Sequence, residues 1–293
     1  MQNFTLHTHT IGFDGRNTIE EMAKVAQEKG FTSLGISNHF IVHPDIKQAQ
    51  AYPYAAKLGY QNIYSSSFDE AVEKFEKHYA EIDEVQSKAD IQIFKGMEAD
   101  FFMYPEWEDG FFKATSYLKP DYIIGSVHFV ENGDRLLNMH DLKRAGEEEQ
   151  KQLLHSYWDK VRKSAQSGMF NALAHLDLPK KSGLGLKQDW LVEEQRTAYW
   201  LGMCGSIVEI NTGFFRKDNF EPYPGCRMLP EFQWTGVRFF FSDDAHSTDQ
   251  IGRHFDDAKK IADQANITLY CEPEKKSRHF FKNVIPNGMR QRD

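Results

Sequence analysis

Histidine and carboxylate residues at six places along this chain could together hold metal ions. Each of the six places lies at or just after the end of a short apolar run: His7 with His9, His39, Glu98, His128, His175, and Asp244 with His246. Imidazole and carboxylate groups are the ligands that suit zinc, iron and manganese. A lone histidine at a strand end would more often be structural, but six places in order indicate a metal cluster.

Two pairs of these residues are spaced by two positions, at opposite ends of the chain. His7 and His9 form one pair, and Asp244 and His246 form the other. Alternate side chains of an extended strand share a face, so the two members of a pair can point at one ion. If the strands close into a barrel, the first and last strands are neighbours and the two pairs should meet.

The number of potential ligands exceeds what one ion can use. Asp14, in the turn-like dipeptide Asp14-Gly15, is a further carboxylate near the first pair. A tetrahedral metal site takes four ligands. The sequence therefore predicts two or three ions for the whole set: His7, His9, Asp14, His39, Glu98, His128, His175, Asp244 and His246.

The elements that must position these residues are strands separated by helices. Seven apolar runs are predicted as strands, namely the six that lead to ligands and a further one at 206–211. Helical patterns are predicted after a capping box at Thr18 and Glu21, and over 68–88, 141–167, 188–203 and 247–265. Alternating strands and helices imply right-handed crossovers and a parallel sheet. We predict an α/β fold, a parallel barrel of TIM type with the metal cluster on one rim.

The segments between these elements add three expectations. Residues 40–67 and 99–112 are predicted as long loops after the second and third strands, rich in aromatic side chains that include Trp107. Such loops at the strand C-termini of a barrel usually determine substrate specificity, although most of these aromatic side chains are expected only to pack the loops down. The histidines at 78, 155 and 254 are predicted to lie in helices and to be solvated. The absence of a linker composition predicts a single domain over residues 1–293.

Composition and charge argue against several classes of protein. The chain has 293 residues and a formal net charge of −8, so no basic surface indicates nucleic acid or an anionic membrane as a partner. No apolar stretch is long enough for a membrane span, and the first residues already contain His7 and His9, which argues against a signal peptide. Cys204, Cys226 and Cys271 are predicted to be reduced thiols of a cytoplasmic protein.

The ordered set of candidate ligands resembles the PHP (polymerase and histidinol phosphatase) family over nearly the whole chain. Segments 37–39, 125–129, 175–178, 209–217 and 221–224 are similar to its histidinol-phosphatase branch. The resemblance implies a distorted (β/α)7 barrel with three divalent metal ions, which could be zinc, iron or manganese. It also implies hydrolysis of L-histidinol phosphate to L-histidinol and phosphate, a step of histidine and hence amino-acid biosynthesis.

The resemblance further assigns residues to roles. It implies a first ion on His7, His9, Glu98 and Asp244, a second on Asp14, His39 and His246, and a third on His128 and His175 with Glu98 as a bridge. A hydroxide that bridges the ions is the expected nucleophile. Asp244 and His246 are the nearest candidates to protonate the leaving group. Arg216 follows the sixth strand and could bind the phosphate bidentately.

The sequence is also compatible with three other functions. The chain could be a PHP phosphoesterase that acts on a nucleotide or a sugar phosphate. It could also be an amidohydrolase-type C–N hydrolase, although such barrels usually carry a single aspartate on the last strand rather than an Asp-x-His pair. An inactive PHP interaction module would have no reason to keep nine ligands. The expected partner is a small phosphorylated metabolite, with no nucleic acid and no membrane, and a homo-oligomer is left open.

Overall fold

The structure is a computed structural model that describes residues 2–184, 190–215 and 221–270. The predicted phosphate ligand Arg216 and the third cysteine, Cys271, lie outside these described residues. Backbone contacts divide the chain into two compact units, Met1–Ile124 with Asp243–Arg253, and Gly125–Ser242 with His254–Asp293. The single domain over 1–293 stays a prediction.

The first unit is built on parallel strands. Its strands are β1 (Phe4–Thr5), β2 (Ser33–Ile36), β3 (His39–Val42), β4 (Tyr64–Ser65) and β5 (Gln92–Asp100), and β6 (Tyr122–Ser126) leads from this unit into the second. Parallel pairing joins β1 to β2, β2 to β5, β5 to β3, and β3 to β4. In the pairing of β3 with β5, His39 lies opposite Glu98. Two predicted ligands are therefore neighbours across a strand pair.

Four helices connect these strands: α1 (Ile19–Glu28), α2 (Ala51–Lys57), α3 (Phe68–Gln86) and α4 (Trp107–Leu118). The capping box predicted at the start of α1 is confirmed. The backbone N–H of Glu21 donates to Thr18 Oγ1 at 3.2 Å, and the backbone N–H of Thr18 donates to Glu21 Oε2 at 2.9 Å. Two N–H groups that would lack partners at a helix start are thus satisfied.

The prediction of two long loops after the second and third strands is wrong. Segment 40–67 contains β3, α2 and β4, because the apolar residues Phe40–Val42 continue from His39 into a buried strand that pairs with β5. In the other segment, β5 extends to Asp100 and α4 begins at Trp107. Trp107 and Phe111, one helical turn apart, are buried and stack with ring centroids 4.7 Å apart. Their apolar area fills the core rather than a substrate-binding loop.

The described residues of the second unit form four parallel strands and a hairpin. The hairpin consists of β7 (Phe129–Asn132) and β8 (Arg135–Asn138), which are antiparallel. The other strands are β9 (Ala172–Leu173), β10 (Ile207–Asn211), β11 (Arg238–Ser242) and β12 (Thr268–Leu269), paired in that order. The helices of this unit are α5 (Met139–Arg144), α6 (Glu147–Ser167), α7 (Leu191–Met203) and α8 (Phe255–Gln264).

All seven predicted strands occur, as β1, β2, β5, β6, β9, β10 and β11. The helix boundaries differ at two places. The segment predicted as one helix over 141–167 forms two helices, α5 and α6. Gly146 separates them: its backbone is extended, and it is the N-cap residue of α6. The helix predicted over 247–265 begins only at Phe255, because Gly252 and His254 both have positive φ angles, which a helix cannot contain.

A buried tyrosine fixes the spacing of the strands in the first unit. Tyr122 donates a hydrogen bond from its hydroxyl to the carbonyl of Leu6 on the first segment. Its ring lies against Gly35 and Gly96, where an added Cβ would come within 2.2 Å of tyrosine atoms. Glycine on β2 and β5 is therefore required for this packing.

Among the described residues, no helix is long and apolar enough to cross a membrane.

Candidate metal centre

The first and last ligand pairs of the chain meet within the first unit, as the sequence predicts. Thr8 and Ala245 form a parallel bridge. The N–H of His9 donates to the carbonyl of Ala245 at 2.8 Å, and the N–H of Ala245 donates to the carbonyl of His7 at 3.2 Å. This bridge brings His7 and His9 close to Asp244 and His246.

One group of ligands surrounds the carboxylates of Glu98 and Asp244. His7, His9 and Glu98 each offer an atom within 4.8 Å of the others. Glu98 Oε2 lies 3.4 Å from His7 Nε2 and 3.7 Å from His9 Nε2. Asp244 Oδ1 lies 3.5 Å from His7 Nε2 and 3.1 Å from His9 Nε2. These are the four residues predicted for the first ion.

A second group surrounds Asp14. His9, Asp14, His39 and His246 offer atoms that all lie within 4.8 Å of one another. Asp14 Oδ2 is 3.2 Å from His39 Nε2 and 3.1 Å from His246 Nε2, and Asp14 Oδ1 is 3.5 Å from His9 Nδ1. The prediction assigned His9 to the first group alone, whereas its two ring nitrogens reach one group each.

His128 and His175 lie in the second unit, with ring centroids 4.9 Å apart. The backbone N–H of His175 donates to the buried Glu209 Oε1 at 2.9 Å, and Glu209 also accepts from Asn211 Nδ2 and Ser242 Oγ at 2.7 Å each. The prediction did not assign a role to Glu209, which fixes the backbone beside His175. The predicted bridge from Glu98 to a third ion stays a prediction.

The adjacent aspartates 243 and 244 have different roles. Asp243 is fully buried; its carboxylate accepts from Thr5 Oγ1 at 2.9 Å and from the N–H of Gly252 at 2.6 Å. Burial raises the pKa of Asp243 to about 6, against the effect of these hydrogen bonds. Asp244 has a φ of 48°, an unusual backbone conformation outside glycine that is often found at functional sites. Asp243 therefore supports the turn, while Asp244 faces the histidines.

The buried side chains of Asn38 and His78, for which the sequence predicted no role in the site, hold the loop around His9. Asn38 accepts from the N–H of Thr10 at 2.9 Å, donates to Thr10 Oγ1 at 2.9 Å, and lies 3.0 Å from His78 Nε2. The prediction that His78 is solvated is wrong, since it is only 4% exposed. The signal was present in the helical spacing, because His78 lies three residues after Phe75 on the inner face of α3.

The cluster shifts the pKa values of its members in opposite directions. Burial raises the pKa of Asp14, but His39, His246 and His9 outweigh it, so that the pKa lies well below its usual value. Burial also raises the pKa of Asp244, but its neighbours, mainly His7, lower it well below its usual value. Burial lowers the pKa of His39, but Glu98 and Asp14 raise it well above normal. Burial and the nearby His246 lower the pKa of His9 to about 4. A neutral His9 is the form that binds a metal ion.

The side chains of the first unit fit divalent metal ions. Within the described part of the chain, both ring nitrogens of His9 and the Oδ1 atom of Asp14 are buried without a hydrogen-bond partner. Buried polar atoms are normally satisfied, and unpaired ones call for an ion or another ligand. Imidazole and carboxylate together suit zinc, iron or manganese. The two groups of this unit would use His7, His9, Glu98 and Asp244, and His9, Asp14, His39 and His246.

An α/β fold of parallel strands with histidine and carboxylate groups at the strand ends defines a class of metal-binding protein. Within that class, residues 4–213 match the family profile of the PHP domain. The chain belongs to the PHP domain family.

Two relatives are similar to this chain over most of their length and of its own. A protein of Deinococcus radiodurans named "Probable histidinol-phosphatase" is 28% identical over 272 residues, which cover 90% of this chain and 94% of the relative. A Schizosaccharomyces pombe protein of the same name is 26% identical over 285 residues, which cover 92% and 89%.

Two solved structures show the same fold. A candidate histidinol phosphatase of Listeria monocytogenes has a TM-score of 0.68 at 20% identity, covering 87% of this chain and 99% of that one. Histidinol phosphate phosphatase from Lactococcus lactis, solved with zinc, L-histidinol and phosphate, has a TM-score of 0.64 at 16% identity, covering 92% and 95%. The prediction of a distorted TIM-like (β/α)7 barrel fold is thereby confirmed.

Proposed function

We propose that the chain is a metal-dependent phosphomonoesterase that hydrolyses L-histidinol phosphate to L-histidinol and phosphate. The observation that carries the proposal is the convergence of seven predicted ligands in the first unit. Two of them, His9 and Asp14, keep buried atoms for which the described residues offer no hydrogen-bond partner. Membership of the PHP family, and relatives named as histidinol phosphatases over about nine-tenths of the chain, support the substrate.

We assign three divalent ions to the chain. The first would take His7, His9, Glu98 and Asp244, the second Asp14, His39 and His246, and the third His128 and His175. Zinc is the first candidate because the Lactococcus relative was solved with it, and iron and manganese suit the same ligands. Bound ions would lower the pKa of water and stabilise the phosphoryl oxygens.

Asp244 and His246 are proposed to assist the departure of the leaving group: His246, whose pKa Asp14 and Asp244 raise against the effect of burial, would donate the proton, and Asp244, whose pKa lies well below its usual value, would act beside it as a carboxylate. Among the seven ligands of the first unit, these two side chains are the most exposed, at 24% and 31%, whereas His7, His9 and Glu98 are fully buried. A residue that meets the substrate must be reached from outside. His246 Nδ1 lies 2.9 Å from the carbonyl oxygen of Asp244, which orients its ring.

Arg216 is proposed to bind the phosphate. This assignment is based only on its position in the sequence after β10 and on the motif around it. The proposal also includes a cytoplasmic enzyme of histidine biosynthesis whose partner is a small phosphorylated metabolite. Cys204 and Cys226 are exposed free thiols, which suit a reducing compartment.

The test is phosphate release from L-histidinol phosphate by the metal-loaded protein and two matched histidine variants. His7→Ala removes a fully buried ligand of the first group and should abolish turnover and lower metal content. His155→Ala removes a histidine of α6 that is 62% exposed and should leave both unchanged. Wild-type turnover in His7→Ala, or no release from any phosphate monoester by the wild type, would reject the proposal.

A further inference from the structure

A small polar cavity lies in the second unit, beside the 3₁₀ turn Leu178–Ser182. Its volume is about 180 Å³, and its lining includes Trp158, Asp177, Lys180, Glu194, Glu221 and Arg227. None of these residues has a role in the proposed metal site. At roughly 30 Å³ per water molecule, the cavity could hold several waters or one small organic molecule.

Two buried atoms of the lining residues have no hydrogen-bond partner in the described part of the chain. They are the indole Nε1 of Trp158, a donor, and the carboxylate Oδ1 of Asp177, an acceptor. Trp158 is 2% and Asp177 7% exposed. Because buried donors and acceptors are normally paired, one of each in the same lining indicates a bound molecule that offers the complementary groups.

The charges of the lining residues favour a monocation. Lys180 Nζ lies 2.9 Å from Asp177 Oδ2, and Arg227 forms a bidentate pair with Glu194, with Nε at 2.9 Å from Oε2. These two ion pairs cancel. Glu221 remains, with Oε1 4.0 Å from Lys180 Nζ. The described residues of the lining therefore carry a net charge of about −1.

The arrangement leaves only one oxygen of Asp177 for a ligand. Its other oxygen, Oδ2, accepts from the N–H of Gly225 at 2.8 Å as well as contacting Lys180. Lys180 also donates to the carbonyl of Pro222 and lies 4.5 Å from the ring centre of Tyr223. A Cβ at Gly225 would come within 2.4 Å of Glu221 Oε1, so glycine permits this close approach. Asp177 Oδ1 remains for an additional donor.

We propose that this cavity binds a small amino alcohol in its ammonium form. The ammonium group would donate to Asp177 Oδ1, and the hydroxyl oxygen would accept from Trp158 Nε1. One positive charge balances the lining, and charge-assisted hydrogen bonds are the stronger kind. L-Histidinol is such an amino alcohol; that particular identity, though not the site, rests on the proposed function.

The test is calorimetric titration of the metal-loaded protein with L-alaninol and L-histidinol. Asp177→Asn keeps the shape but removes the charge and should weaken binding about tenfold or more, and Trp158→Phe should weaken it several-fold. Trp107→Phe is the matched control, since Trp107 lies in the first unit, is as buried as Trp158, and has an Nε1 that likewise finds no hydrogen-bond partner among the described residues. It should bind as the wild type does. Turnover of p-nitrophenyl phosphate should stay unchanged in all three variants.

Three outcomes would overturn the site: waters only, with no saturable binding of either amine tighter than roughly 10 mM; equal weakening in Trp158→Phe and Trp107→Phe; or binding unaffected by Asp177→Asn. Saturable binding of L-alaninol that depends on Asp177 and Trp158, in a protein that does not hydrolyse L-histidinol phosphate, would support the site and reject the proposed function.

Discussion

At the scale of single residues, Glu98 connects the two ligand groups of the first unit. Its Oε2 atom lies 3.4 Å from His7 Nε2 in one group and 2.7 Å from His39 Nδ1 in the other. Glu98 is fully buried, so its charge needs a compensating cation nearby. A single carboxylate oxygen in this position would contact two ions.

Replacing Glu98 by glutamine should therefore lower metal content by more than one ion per chain and abolish phosphatase activity. The glutamine keeps the size of the side chain but removes the negative charge that both groups use. Elemental analysis of the purified variant measures the effect, with Glu73→Gln on the exposed face of α3 as the control. Full metal retention in Glu98→Gln would contradict the shared role.

His78 makes stability depend on pH. Burial lowers its pKa from the ordinary value of 6.5 to about 3. Between those values the unfolded chain binds the proton more readily than the folded protein does. The contribution of His78 to stability is therefore complete above pH 6.5 and is lost as pH falls towards 3, at up to about 1.4 kcal/mol per pH unit.

Replacing His78 by glutamine should flatten this pH dependence. Glutamine can still bond to Asn38 but does not titrate. Urea unfolding of the metal-free protein between pH 4 and 6.5 measures the slope, and the metal-free state keeps ion loss out of the comparison. An identical slope for the wild type and His78→Gln would show that the buried imidazole does not cause the acid sensitivity.

Among the helices and strands, helix α1 is stabilised locally by the capping box of Thr18 and Glu21. Thr18→Ala removes the side-chain oxygen that accepts from Glu21 N–H at 3.2 Å, at an exposed position. The expected loss is about 1 kcal/mol of unfolding free energy, measured by urea unfolding with saturating metal. Glu28→Ala, outside the capping box at the other end of α1, is the control. A loss in Glu28→Ala equal to that in Thr18→Ala would contradict the capping role.

The strands that lead to ligands could be predicted because local chemistry and pattern agree there. Each consists of a buried apolar run such as Phe239–Phe241 followed by polar residues, and the short length and the β-branched or aromatic residues of such runs favour a strand over a helix. The capping box at Thr18 is equally local. These signals need no knowledge of distant contacts.

The sequence did not predict features that depend on tertiary packing. Residues Phe40–Val42 form a strand only because β5 and β4 lie on either side of it. Trp107 is in the core because Phe111 and Phe101 enclose it. In the metal centre, ligand types and order were predictable, but the contact of His9 with both groups depends on where the Thr8–Ala245 bridge places its ring.

At the scale of the whole molecule, metal binding should contribute to folding stability. Ligands such as His7 and Asp244 come from opposite ends of the chain and meet only in the folded state. An ion that binds the folded form alone, at a thousandfold excess over its Kd, stabilises it by about 4 kcal/mol. At roughly 2–4 °C per kcal/mol, removal by a chelator should lower the Tm by on the order of 10 °C.

Differential scanning calorimetry before and after chelation measures this effect. Readdition of zinc, iron or manganese should restore the Tm, and the most effective ion identifies the preferred metal. His7→Ala should show a smaller loss on chelation than the wild type, and His155→Ala the same loss. A wild-type Tm that chelation does not change would contradict the assigned metal centre.

The proposed activity is metal-dependent hydrolysis of L-histidinol phosphate. It is tested most directly by kcat/KM values for L-histidinol phosphate, p-nitrophenyl phosphate, a nucleoside monophosphate and a sugar phosphate, measured with metal-loaded and metal-stripped protein. The proposed function predicts that L-histidinol phosphate is preferred by a hundredfold or more, or roughly 2.7 kcal/mol, and that turnover disappears on stripping and returns with the metal. A hundredfold preference for another ester, or turnover that survives the complete removal of metal, would contradict it.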